Sequence, residues 1–212
     1  MKKKTVALLL ALTLVLGVVA GGTIAWLTST TTPVKNTFTT SDIDITLTES
    51  KGTGTTTDKN FKMTPGYTIE KDPKVTVLKG SEACYLFVKV EESENLKAYI
   101  SYTMDSGWQQ LKDKDKKAVD GVYYREVSAN ATADQAFDVI GYKGSNGTFH
   151  KNQVLVNGTV TKTDMNKLDE ANATQPTLTF TAYASQLMKN NTEKFDAYDA
   201  WLNIFPSSTT NP

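Results

Sequence analysis

Hydrophobic and polar residues along this chain repeat mostly at the period of a strand. Ile43, Ile45 and Leu47 alternate with Asp42, Asp44, Thr46 and Thr48, the pattern of a half-buried strand with one wet side. Val75 and Val77 share one face of a short strand over 74–78. The strongest run begins at Cys84. Leu86, Val88 and Val90 share its face, while Tyr85, Phe87 and Lys89 take the other. Apolar groups on both faces predict a central strand covered on two sides, with Cys84 as a buried small hydrophobe. Further strands are expected as a pair around Tyr99, Ile100 and Tyr102 ending near Trp108, then over 122–127, 137–142 and 153–160, and over 177–186 with Leu178, Phe180, Ala182 and Ala184 as the apolar face. Asn157-Gly158 is a hairpin signal within the 153–160 run.

Two segments carry helical signals instead. The first is 163–168, with Thr163 as N-cap and Asp164 in the first turn. The second is a C-terminal amphipathic helix, where Phe195, Tyr198, Trp201, Leu202 and Phe205 recur at helical spacing before Pro206. Turns punctuate the rest: a Gly- and Thr-rich linker over 50–59, Pro65-Gly66, Gly80-Ser81, and a charged hairpin tip at 113–117.

The N-terminus breaks this pattern. Lys2, Lys3 and Lys4 precede an apolar run from Val6 to Ala20, followed by Gly21-Gly22 and the small residues Thr23 and Ala25. That layout predicts a secretory signal peptide over 1–25, cut between Ala25 and Trp26. The competing reading is an uncleaved membrane anchor drawn from Val6 to Leu27. The expected organisation is then a mature N-terminal segment over 26–40, one β domain over 41–206 and a polar tail over 207–212.

Composition narrows the function. The chain has 23 basic and 23 acidic residues, and losing the three signal lysines leaves 20 against 23, a net charge of −3. No basic field is present to hold nucleic acid or anionic lipid. With Cys84 as the single cysteine, disulfides within the chain are excluded. His150 is the single histidine and falls in a Gly- and Asn-rich stretch read as a loop. No zincin His pair, nucleophile elbow or phosphate loop occurs. Catalytic, metal and cofactor sites are therefore not expected. Asp42 and Asp44, about 7 Å apart on one strand face, are read as the wet side of an edge strand. The Asn-x-Thr sequences at Asn130, Asn146, Asn157, Asn172 and Asn190 are read as turn composition.

Several motifs together resemble a known family. Gly21-Gly22-Thr23-Ile24-Ala25-Trp26-Leu27-Thr28, then Asn36-Thr37-Phe38-Thr39-Thr40 and Asp42-Ile43-Asp44-Ile45, look like the start of the TasA/camelysin family. Pro65-Gly66-Tyr67, the strand from Cys84 and the strand over 179–186 resemble other parts of its small members. The resemblance implies a signal peptide cut by a SipW-type peptidase, a jelly-roll-like antiparallel β-sandwich with short helices, and a secreted life in the biofilm matrix or at the cell surface. It also implies head-to-tail fibres, in which the mature N-terminus is donated as a strand to the next copy. The donor residues would be Trp26, Leu27, Val34 and Phe38, with Pro33 confining the segment to an edge or a kink. Self and other matrix proteins are the implied partners, with membrane contact only through an uncleaved signal. Some members are described as metalloendopeptidases, an activity whose zinc-binding histidines this sequence lacks. A different class, a monomeric module that binds glycan or protein, would rest on Tyr99, Tyr102, Trp108, Tyr123 and Tyr124 if they are exposed rather than core or cross-strand residues.

Overall fold

A computed structural model of the chain describes residues 42–55 and 58–205. The expected signal peptide, its expected cleavage point between Ala25 and Trp26, the expected donor residues Trp26, Leu27, Val34 and Phe38, and the expected polar tail lie outside them. The protein is mainly β, with several antiparallel sheets and few, short helices. No helix among the described residues is long and apolar enough to cross a membrane.

The centre is a four-stranded antiparallel sheet. Its order is β15 (Leu178–Gln186), β6 (Cys84–Glu92), β10 (Ala118–Val127), β9 (Gln109–Lys112). β6 is an inner strand, as its two apolar faces predict. Cys84, Leu86, Val88 and Val90 point into the main core, against Val75, Val77, Val139, Ile140, Val154 and Val156. Tyr85 and Phe87 point the other way, into a second core closed by α3 (Ala197–Ile204) through Ala200 and Trp201. Asp196 caps α3 by accepting from Tyr198 N at 2.9 Å.

The residues facing the main core come from three small antiparallel sheets rather than one continuous layer. One is β1 (Ile45–Thr48), β5 (Lys74–Val77), β11 (Gln135–Asp138). The next is β13 (Phe149–Lys151), β12 (Ile140–Lys143), β8 (Thr103–Met104). The third is β4 (Thr68–Glu70), β14 (Gln153–Val156), β7 (Ile100–Ser101). A small hairpin, β2 (Thr53–Gly54) with β3 (Lys59–Asn60), occupies the segment expected to be a plain linker.

Turn chemistry follows the sequence closely. Tyr67 N donates to Thr64 O across Pro65-Gly66, with Gly66 at φ +80°. The charged tip closes through Asp113 N to Lys117 O at 2.9 Å. Gly121 sits in the stretch where the β9–β10 register shifts, at φ +66°. A Cβ there would stand 2.2 Å from Val90 O, so glycine is required for β10 to lie against β6.

Four expectations need correction. The segment before Trp108 is not a strand pair. A helical turn, α1 (Leu96–Tyr99), leads into β7, and β7 and β8 join different sheets. The run over 137–142 is likewise split. Val139 N donates to Pro73 O and Val139 O accepts from Asp105 N, so β11 and β12 part at this residue. Asn157-Gly158 turns the chain without a return strand, because the Asn157 amide donates to Lys97 O and Ala98 O and is spent on holding α1. The helix α2 (Lys162–Leu168) is capped by Thr161, two residues earlier than Thr163. Asp164 bonds back to Thr161 N and Oγ1, completing a capping box. Hydrogen bonds from Thr161 and Lys167 push the Asp164 carboxyl down to about 2.

Candidate functional site

Two sheets end side by side. β1 is the outer strand of its sheet and β15 the outer strand of the central one, and the two strands lie against each other without pairing. Each has a strand partner on one side only among the described residues. A groove of about 490 Å³ opens where they meet. Its walls are Leu47–Glu49 from β1 and the residue after it, Gln175–Phe180 leading into β15, and Asp58–Phe61 from the small hairpin. Its floor is apolar, with Met63, Ile69, Leu96, Ile100 and Val154. Leu47 is 37% exposed at the rim, an apolar side chain that the fold leaves open on this side.

One charged pair is built into the wall. Lys71 is only 8% exposed. Its Nζ donates to both oxygens of Glu49, at 3.0 and 3.1 Å, and lies 4.8 Å from the Phe61 ring centre and 5.6 Å from that of Phe180. The ammonium is thus paired and ringed by aromatic faces, two conditions that make a buried charge tolerable. Next to it Asp72 accepts from Ser50 N, Ser50 Oγ and Lys51 N at 3.0, 2.6 and 2.9 Å. Burial pushes the Asp72 carboxyl up, but the bonds from Ser50 and Lys51 outweigh it and leave the group below its ordinary value. These contacts fasten the chain leaving β1 to the segment between β4 and β5, which fixes the groove's width. Neither Lys71 nor Glu49 is singled out by sequence, since they are 22 residues apart. The one available signal is parity: Lys71 falls on the inward register of Ile69 and Pro73, where a charge needs a partner.

Comparison with protein-family models, with curated proteins and with solved structures returned no match.

The other candidates resolve individually. Tyr99 and Trp108 are buried, the latter donating from Nε1 to Asp138 O at 2.8 Å. Tyr102, Tyr123 and Tyr124 are half-buried, Tyr102 donating to Glu92 Oε1 at 2.5 Å. The five aromatics therefore take the core and cross-strand alternative. His150 is not in a loop: it belongs to β13, is half-buried, and stacks on Tyr142 with ring centres 4.7 Å apart. Cross-strand pairing with β12 explains this, because Tyr142 and His150 stand opposite one another. Asp42 and Asp44 are exposed, as expected, but they precede β1 (Ile45–Thr48) rather than lying on a strand face. No three His, Cys, Asp or Glu side chains come together as a metal site among the described residues.

Cys84 is fully buried, and burial pushes its thiol up to about 11. A thiol-alkylating reagent is expected to leave the folded protein unmodified and to label Cys84 as denaturant unfolds it, which mass spectrometry would follow. Labelling at the rate of a free thiol under native conditions would contradict the burial.

Proposed function

We propose that this chain is a secreted structural subunit of an extracellular or biofilm matrix, a jelly-roll-like sandwich that polymerises by strand donation. The observation that carries the reading is the groove bounded by the edges of β1 and β15 that have no strand partner among the described residues. An unpaired strand edge accepts an extended segment through main-chain hydrogen bonds, and an apolar floor gives alternate side chains somewhere to go. The proposed donor is the segment 26–38 of another copy. It is Thr-rich, carries Trp26, Leu27, Val34 and Phe38, and spans roughly 40 Å when extended. Once the segment is extended as a donated strand, Val34 and Phe38 would share one face, and each aromatic buried there would contribute on the order of 2–3 kcal/mol. A SipW-type peptidase cutting after Ala25 would free this segment. Donation from one copy to the next is heterologous, so it grows open filaments rather than closed rings. The resemblance of the N-terminal motifs to the TasA/camelysin family supports the same reading.

The test compares residues 26–212 with residues 39–212 by sedimentation and electron microscopy. The longer form is expected to sediment as filaments and the shorter to stay a folded monomer, its near-ultraviolet circular dichroism unchanged. Filaments from the shorter form, or a longer form that stays monomeric at high concentration, would remove strand donation. Saturable binding of a glycan or protein by that monomer would then favour the binding-module reading, and chelator-sensitive proteolysis the peptidase one.

A further inference from the structure

The tripeptide Asn-Gly-Thr occurs twice in this chain, at Asn146-Gly147-Thr148 and at Asn157-Gly158-Thr159. Asn-Gly is the dipeptide at which a backbone nitrogen reaches the preceding carboxamide most easily, because glycine has no side chain to block the approach. With the residues from Asn to Thr the same, any large difference in reactivity between the two sites must come from the fold.

The fold treats them oppositely. Asn157 is half-buried, and its side chain is held at every polar atom. Nδ2 donates to Lys97 O at 3.0 Å and to Ala98 O at 3.1 Å, while Oδ1 accepts from Ser101 Oγ at 2.5 Å. Its backbone is fixed as well, N donating to Tyr99 O at 2.8 Å and O accepting from Val160 N at 3.1 Å. Rotating this carboxamide toward Gly158 N breaks the bonds that seat α1. Asn146 instead stands exposed at the tip of the β12–β13 hairpin. Its Oδ1 accepts from Thr148 N at 3.0 Å, and within the described residues Nδ2, the atom that must leave, makes no hydrogen bond. The one restraint on the attacking atom is the turn bond from Gly147 N to Gly144 O at 2.9 Å. It lies at a solvent-exposed hairpin tip, where local opening costs least.

We propose that Asn146 is a site of spontaneous deamidation and that the fold keeps its sequence twin Asn157 intact. In the reaction Gly147 N gives its proton to solvent base and attacks Asn146 Cγ. The bond from Cγ to Nδ2 breaks, and Nδ2 leaves as ammonia with a proton from water. Water then opens the resulting cyclic imide at either carbonyl, giving aspartate or isoaspartate. No oxidant or reductant is involved. The product places a new carboxylate at a tip that also carries Lys143, and the isoaspartate form lengthens the backbone of a turn closed by Gly147 at φ +83°.

The experiment ages the purified chain in mildly alkaline buffer, then digests it with trypsin. Cleavage after Lys143, Lys151 and Lys162 separates the two sites, one in peptide 144–151 and the other in 152–162. Deamidation of Asn146 is expected to run at least about tenfold faster than that of Asn157, because several hydrogen bonds must open first at the latter. In concentrated urea the two rates are expected to converge. Equal rates in the folded protein would overturn the proposal, as would an Asn157 that stays protected after unfolding.

Discussion

Replacing Phe87 with alanine is expected to lower the unfolding free energy by ~3–5 kcal/mol, which for a chain of this length lowers Tm by roughly 10 °C. Phe87 has no exposed surface. It sits on the face of β6 turned away from the main core, 5.3 Å from the Trp201 ring centre and 6.3 Å from that of Tyr124. Trp201 in turn meets Tyr183 and Phe205 at 5.4 and 5.1 Å. Truncation therefore removes the side chain on which α3 rests, and helix and sheet cannot close the gap independently. Thermal unfolding measures the loss, and weakening of the near-ultraviolet signal of Trp201 would place it at α3. Tyr67→Ala is the matched control, since that ring is 69% exposed at the Pro-Gly turn and its removal should shift stability by less than about 0.5 kcal/mol. A Phe87→Ala protein within about 1 kcal/mol of the parent would mean that α3 does not depend on this contact.

The same residue marks how far the sequence could be followed. Phe87 and Leu86 announced a two-faced strand because burial on both sides removes the polar alternation that a half-wet strand must show. β15 and α3 were legible for a related reason: each carries an apolar stripe that repeats at the period of its own backbone. What stayed hidden depends on bonds between residues far apart in sequence. Val139 divides the run over 137–142 because its N–H and C=O are taken by Pro73 and Asp105. Asn157-Gly158 reads locally as a hairpin, yet the Asn157 carboxamide is engaged by residues 59 and 60 positions earlier. His150 seemed solvated because its neighbours are glycine and asparagine, whereas its strand register places it on Tyr142. The candidate site was the least legible part. A groove between two sheet edges has no motif of its own, and the edges follow from strand order, which periodicity does not encode.

Lys71→Ala is expected to destabilise the protein by ~3 kcal/mol, and the double variant Lys71→Met with Glu49→Leu to leave its stability near or above that of the parent. The two side chains are 11% and 15% exposed and bonded at both carboxylate oxygens. Removing one partner leaves the other charge poorly solvated, whereas replacing both by apolar groups of similar size removes the desolvation cost with the attraction. Residues this close are coupled, so the double variant should fall well short of the sum of the single losses, and denaturant titration of the parent, Lys71→Met, Glu49→Leu and the double variant closes the cycle. The same proteins separate the groove's stability from its use. Both strand edges and the apolar floor survive in the double variant, so strand donation predicts that residues 26–212 carrying it still form filaments. If that protein were stable but monomeric, recognition of the donated segment would depend on the ion pair rather than on the two edges. If the double variant were as unstable as Lys71→Ala, the pair would be holding β1 in place through geometry that apolar side chains cannot reproduce.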